Sequence, residues 1–297
     1  MEQYSGEKLG SIEVGNHLGE GIIWHARDGA VWWTDIQESK LYRYHLATEQ
    51  RQDWSLPERL GCFGFFEGVP EDKLIMAAFA SGVARYDLDT GELDWIARPE
   101  LDKPGLRFND GRVDRQGRFW AGSMIESDDS YHQGGLYRLN PDLSLSSVVD
   151  GITISNGLCW SPDSRVMYHS DSPRQEIYAY DFEPESGSIS NRRLFAKTEV
   201  GCYPDGATVD AEGFLWSAQW GGSKLVRYAP DGQKVGELPL PVSQPTCLTF
   251  GGNDLATMFI TSARENLTDA QLAEQPEAGN VLIYRLGMKG IADPLVR

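Results

Sequence analysis

Two phrases in this chain, "RFNDGRVDRQGRFWAGS" from Arg107 and "PDGATVDAEGFLWSAQW" from Pro204, share one skeleton: a polar residue, Val-Asp, a glycine and an aromatic-Trp close. A sequence that repeats itself this way must fold into an array of like units. Four clear copies begin at Glu20 ("EGIIWHARDGAVWWTD"), Asn109 ("NDGRVDRQGRFWAGS"), Asn156 ("NGLCWSPDSRVMYHSD") and Asp205 ("DGATVDAEGFLWSAQ"). Two weaker ones begin at Gly61 and Pro245. Most are followed by an alternating segment with an aromatic residue, such as "SKLYRYHL" or "QEIYAYDF". Within each unit, two runs of period-two alternation flank a turn such as Arg27-Asp28-Gly29 or Ala211-Glu212-Gly213, which reads as a hairpin.

Six units spaced 40 to 49 residues apart, each with three or four short strands, predict an all-β six-bladed β-propeller with four-stranded antiparallel blades. The expected blades start near 18, 61, 109, 156, 205 and 245, in one domain spanning 1–297. The last unit supplies only three clear strands, while "KLGSIEV" at 8–14 is a strand without a blade. It is expected to complete the last blade, so that no blade edge is left open. A pair of β-sandwiches would not produce a sixfold period.

Composition excludes several classes of function. The net charge of −17 opposes binding to nucleic acid or to anionic lipid. No apolar run approaches the roughly 20 residues of a membrane helix, and the first eight residues lack a secretory signal's order, so the reading is cytoplasmic. Cys62, Cys159, Cys202 and Cys247 are widely separated and expected to be buried, unpaired thiols. The tryptophans Trp32, Trp33, Trp120 and Trp216 are expected to pack between blades.

If the units superpose, Glu20, Asn109, Asn156 and Asp205 occupy one structural position, where the innermost strand enters the central channel. Singly, an Asp or Asn before a glycine is a turn former. Four oxygen donors in one register are harder to dismiss, each with a glycine within two residues to bring backbone near the axis. Two carboxylates and two amides converging on a narrow channel call for one divalent cation, and oxygen donors favour Ca²⁺, Mg²⁺ or Mn²⁺ while admitting Zn²⁺ or Fe²⁺. No G-x-S-x-G elbow is present to suggest a serine hydrolase.

The chain resembles the regucalcin and gluconolactonase group of six-bladed sugar lactonases. The likeness is carried by "GEGIIW", "RFNDGRVDRQGRFWAGSM", "HQGGLYRL", "ISNGLCWSPD", "PDGATVDAEGFLW" and "QPEAGNVLIYRLGMKGIA". That resemblance implies metal ligands at Glu20, Asn156 and Asp205, with Asn109 beside the ion and a substrate-holding arginine at Arg107. It implies hydrolysis of a sugar lactone, with the cation polarising the carbonyl and Asp205 as general base or as the group that orients the attacking water. Arg107, Asn109 and Glu126 are the expected contacts to the sugar. Where relatives carry a second acidic residue after "GSMIE", this chain has Ser127. Two other readings fit the same donors: a calcium-binding regulator or scaffold without catalysis, and a phosphotriesterase or other esterase.

Overall fold

The structure, a computed structural model, describes residues 2–4, 6–126 and 133–297. Ser127 and His132, both singled out in the sequence, lie outside the described residues. Six four-stranded antiparallel sheets form the blades of a six-bladed β-propeller, as the repeat predicts. Their innermost strands are Gly19–His25, Leu60–Phe65, Leu106–Val113, Ser155–Trp160, Tyr203–Val209 and Pro245–Gly251. Strands of blade 1 alternate up and down through Ala30–Asp35, Lys40–His45 and Gln50–Ser55, and the other blades repeat the meander.

The skeleton of the repeat has a specific physical cause. In blade 3 the Asp114 carboxylate, fully buried, accepts the turn amides of Gln116 and Arg118 on one oxygen and Trp120 Nε1 on the other, at 2.9 to 3.0 Å. Asp210 does the same in blade 5 for Glu212, Phe214 and Trp216, each at 3.0 Å. One aspartate thus closes the hairpin turn and fixes the rotamer of the buried tryptophan on the next strand. In blade 1, Asp28 holds Trp32 Nε1 at 3.0 Å, while in blade 4 the Ser161 hydroxyl accepts the amides of Arg165 and Val166.

Six apolar clusters bind the ring, each shared by two adjacent blades. Trp32, Trp33, Trp120 and Trp216 are all fully buried in them, confirming the expected packing role. Trp120 of blade 3 meets Trp160 of blade 4 with ring centroids 5.8 Å apart, and Trp24 stacks on Phe259 across the junction of blades 1 and 6 at 5.9 Å. Truncating a buried tryptophan to alanine costs about 3–5 kcal/mol, so these contacts dominate the cohesion of the ring.

The N-terminal strand Glu7–Ile12 pairs antiparallel with Val281–Arg285 and becomes the outer strand of the last blade, the predicted closure. Glu2–Gln3 adds an unforeseen fifth strand, parallel to Lys234–Pro239, on the edge of blade 5. At the other terminus, residues 290–297 cross the end of the channel remote from the strand starts. Asp293 there accepts from Trp24 N, Thr249 Oγ1 and Arg112 Nη1, while Val296 N donates to Phe65 O. Among the described residues the only α-helix is Asp269–Glu274, and no helix is long and apolar enough to cross a membrane.

Candidate active site

At the other end of the channel a cavity of about 310 Å³ opens, and Glu20, Arg107, Asn109, Asn156 and Asp205 all line it. Each is a buried side chain on an innermost strand. The single register expected for the four donors resolves into two. Glu20 and Asn156 are the last ladder-paired residues before an irregularity, opposite Thr34 and Ser170. In blades 3 and 5 that place belongs to Phe108 and Pro204, so Asn109 and Asp205 stand one residue further on, inside the bulge. A bulge sets two residues against one, which lets side chains from either position turn to the axis. Gly21 and Gly157, which follow Glu20 and Asn156, have φ of 58° and 65°, a conformation that glycine adopts without strain.

Blades 2 and 6 contribute close backbone contact in place of donors. A side chain at Gly61 would come within 2.3 Å of the Asn109 carbonyl oxygen. Thr246 turns its hydroxyl to Thr261 Oγ1 at 2.9 Å and to Gly19 O.

The polar floor is tightly wired. Asn109 Nδ2 donates to Asn156 Oδ1 and to Ser155 O, both at 3.0 Å, and its Oδ1 accepts Arg107 Nη1 at 2.8 Å. Asn156 Nδ2 donates to Ser172 Oγ at 2.8 Å, and that hydroxyl donates to Pro204 O at 2.7 Å. This chain of bonds orients both amides. Arg107 also donates from Nη1 to Phe108 O at 3.0 Å and from Nε to Glu126 at 2.9 Å. Glu126, expected to touch the sugar, holds Arg107 Nε and also accepts both Nη atoms of Arg59 at 2.7 and 2.9 Å.

The carboxyl groups of Glu20 and Asp205 are close enough to share a hydrogen bond. Burial pushes Glu20 well above the ordinary carboxylate range, with the charge of Asp110 adding to the effect. Burial also raises Asp205 well above the ordinary range, reinforced by Glu20 and then Asp110. Asp110, which the sequence reading passed over although it sits inside the "RFND" motif, is itself buried and accepts Leu158 N at 3.2 Å. The charge of Asp110 thus acts on both Glu20 and Asp205, and those two carboxyls are in contact. Such a pair either holds a shared proton or surrounds a cation.

The donor chemistry fits the second state with a hard divalent ion: two carboxylates and the amide of Asn156, all oxygen, at the floor of an open cavity. Among the described residues no group of three or more His, Cys, Asp or Glu side chains forms a metal-holding cluster; the third oxygen donor of this set is an amide. The four cysteines are all unpaired; Cys62, Cys159 and Cys247 are buried, whereas Cys202 is only partly so, on the loop before blade 5.

The upper wall was not legible in the sequence. Leu18, Met124, Ile154, Pro173, Tyr203 and Trp220 make it apolar, with Glu265 at its edge. Met124, Tyr203 and Trp220 stand at strand ends, and Leu18, Ile154, Pro173 and Glu265 lie between the named strands, so no single register of the repeat marks them together.

Behind the floor, His169 is fully buried and its Nε2 lies 2.8 Å from Ser155 Oγ, whose own backbone oxygen holds Asn109. Burial, with a smaller effect from Arg192, pushes His169 down to about 3. The unfolded chain takes up this proton near the usual 6.5 while the folded one resists, so stability is lost as pH falls from about 6.5 toward 3. His169→Gln removes that titration. Its stability relative to the parent is expected to gain about 1.4 kcal/mol per pH unit across the window, read from denaturant melts at pH 7, 5 and 4. Parallel curves for the two proteins would show that His169 does not titrate this way.

A propeller with an axial set of oxygen donors at the floor of a cavity is the class that this fold and site define. The SMP-30/gluconolactonase/LRE-like family model matches residues 18–264, and the chain belongs to that family. It is 39% identical over 283 residues to 6-deoxy-6-sulfogluconolactonase of Pseudomonas putida, covering 94% of each chain. It is 37% identical to L-arabinolactonase of Azospirillum brasilense, covering 93% of this chain and 91% of that one. The solved structure of regucalcin from Agrobacterium tumefaciens, described as a calcium-binding protein, superposes with a TM-score of 0.91 at 30% identity, over 99% of this chain and 98% of that one.

Proposed function

We propose that this protein is a divalent-cation-dependent lactonase that hydrolyses a sugar lactone of the aldonolactone type to the aldonic acid. The observation that carries the reading is the contact between the Glu20 and Asp205 carboxyl groups on the cavity floor, beside the inward-facing Arg107 and Asn109. Glu20, Asn156 and Asp205 would hold the cation. When bound, it supplies Lewis acidity toward the lactone carbonyl.

The remaining work falls to the protein's own groups. Arg107 is held by Glu126, Phe108 O and Asn109, which fixes its guanidinium before substrate arrives. It hydrogen-bonds sugar oxygens and stabilises the negative charge that develops as water adds to the carbonyl carbon. Asp205 orients that water and takes its proton; the ring carbon–oxygen bond then breaks, and the departing alkoxide is protonated to the free hydroxyl. The apolar wall of Trp220 and Tyr203 suits the C–H face of a sugar ring, while the hydroxyls turn to the polar floor.

A calcium-binding role without catalysis is the second reading, favoured by the description of the Agrobacterium relative. A pH-indicator assay on several aldonolactones separates the two. Protein stripped with chelator is expected to lose at least about 95% of its rate and to recover it on adding a divalent ion. Full activity after stripping refutes cation dependence; no hydrolysis with any ion leaves the binding role standing.

A further inference from the structure

Glu265 stands at the mouth of the same cavity, on the loop after Thr257–Ser262, and the chemistry above makes no use of it. Its loop is anchored to blade 1: the amides of Arg264 and Glu265 both donate to His17 O, at 3.0 and 3.1 Å. One carboxyl oxygen accepts Gln37 Nε2 at 2.5 Å, and Gln37 Oε1 takes Arg59 Nη1 at 3.4 Å. The other oxygen has no hydrogen-bond partner among the described residues, and Glu265 forms no ion pair with any of them. The nearby guanidinium groups are directed elsewhere. Arg59 places both Nη atoms on Glu126, and Arg107 turns its Nε to the same carboxylate. A half-buried carboxylate therefore lines the cavity, within electrostatic reach of Arg107 and Arg59 but hydrogen-bonded to neither.

We infer that Glu265 is a specificity-determining residue. It accepts a hydroxyl on the end of the sugar remote from the lactone carbonyl, and it selects neutral aldonolactones against those whose tail carries a carboxylate, sulfonate or phosphate. The substrate identity rests on the lactonase reading; the charge selection does not. A carboxylate welcomes a hydroxyl donor and repels an anion within a few ångströms, and in a partly desolvated mouth the difference corresponds to about tenfold or more in affinity. A site built around a polar partner discriminates more strongly than one built on shape alone.

The test compares Glu265→Gln, which keeps shape and hydrogen bonding but removes charge, with Glu265→Asp, which keeps charge. Calorimetry with glucitol and glucitol 6-phosphate reads binding without catalysis, on protein loaded with divalent ion. The parent is expected to favour the neutral polyol by about tenfold or more, Glu265→Gln to erase most of that preference, and Glu265→Asp to retain it. A preference unchanged within twofold in Glu265→Gln, or a parent that favours the phosphate or binds neither polyol, overturns the inference. The same proteins assayed on glucono-1,5-lactone and the carboxylate-bearing glucaro-1,4-lactone should show a matching shift in kcat/KM. If the parent hydrolyses no lactone, the lactonase reading fails, while the calorimetric ratio still judges Glu265.

Discussion

Asp205→Ala is expected to lower aldonolactone hydrolysis by about 10³-fold or more while leaving the propeller folded. Asp205 combines two tasks in the proposed chemistry, holding the cation and handling the proton of the attacking water, so its loss removes both. Its loss does not remove anything that holds the ring together. The side chain makes no ion pair among the described residues, and burial, then the charges of Glu20 and Asp110, push its proton affinity up. Replacing a buried carboxyl that is repelled by its neighbours relieves strain in the cation-free protein. The variant's Tm without divalent ion should equal or exceed the parent's, and its gain in Tm on adding the ion should vanish. Activity within tenfold of the parent, or a Tm gain identical to the parent's, would remove Asp205 from the site.

Deleting residues 1–14 is expected to have the largest effect on stability, a loss on the order of 5 kcal/mol, read as about 10 °C or more in Tm. The segment supplies the fourth strand of the last blade, with five ladder pairs from Glu7 opposite Arg285 to Ile12 opposite Val281. Ile12 is buried in the cluster that joins blades 6 and 1, and Tyr4 lies against Trp216 with ring centroids 5.3 Å apart. Without the segment, Val281–Arg285 becomes a bare edge exposing unpaired backbone groups, and aggregation should accompany the lower Tm. A deletion variant that melts with the parent would mean that the ring does not depend on this closure.

Much of the fold was legible because its causes are local. The Val-Asp, Gly and Trp of the repeat encode a turn capped by a carboxylate and a tryptophan tethered to the same carboxylate, all within seven residues. Such a unit announces itself wherever it recurs. The candidate site was legible in part for the same reason, because Glu20, Asn109, Asn156 and Asp205 each begin a unit. Starting each copy at its oxygen-bearing residue nevertheless placed all four in one register. The bulges offset Asn109 and Asp205 by one residue, and a bulge leaves no mark in a pattern of period two. Glu126 shows the other limit: its place after "GSMI" suggested substrate, and only the fold brings Arg59, just before Leu60–Phe65, and Arg107 together on its carboxylate.

The sequence by itself determined six β-blades, their turns, the closing strand and the oxygen donors, since each follows from contacts between residues near in the chain or from the repetition of such contacts. Tertiary structure alone decided that Glu20 and Asp205 touch, that the charge of Asp110 reaches them, and that Trp220, Tyr203 and Glu265 line the cavity. Those meetings join residues up to some two hundred positions apart. They depend on how six separate loops converge over one axis, a matter of ring geometry that no local pattern of residues records.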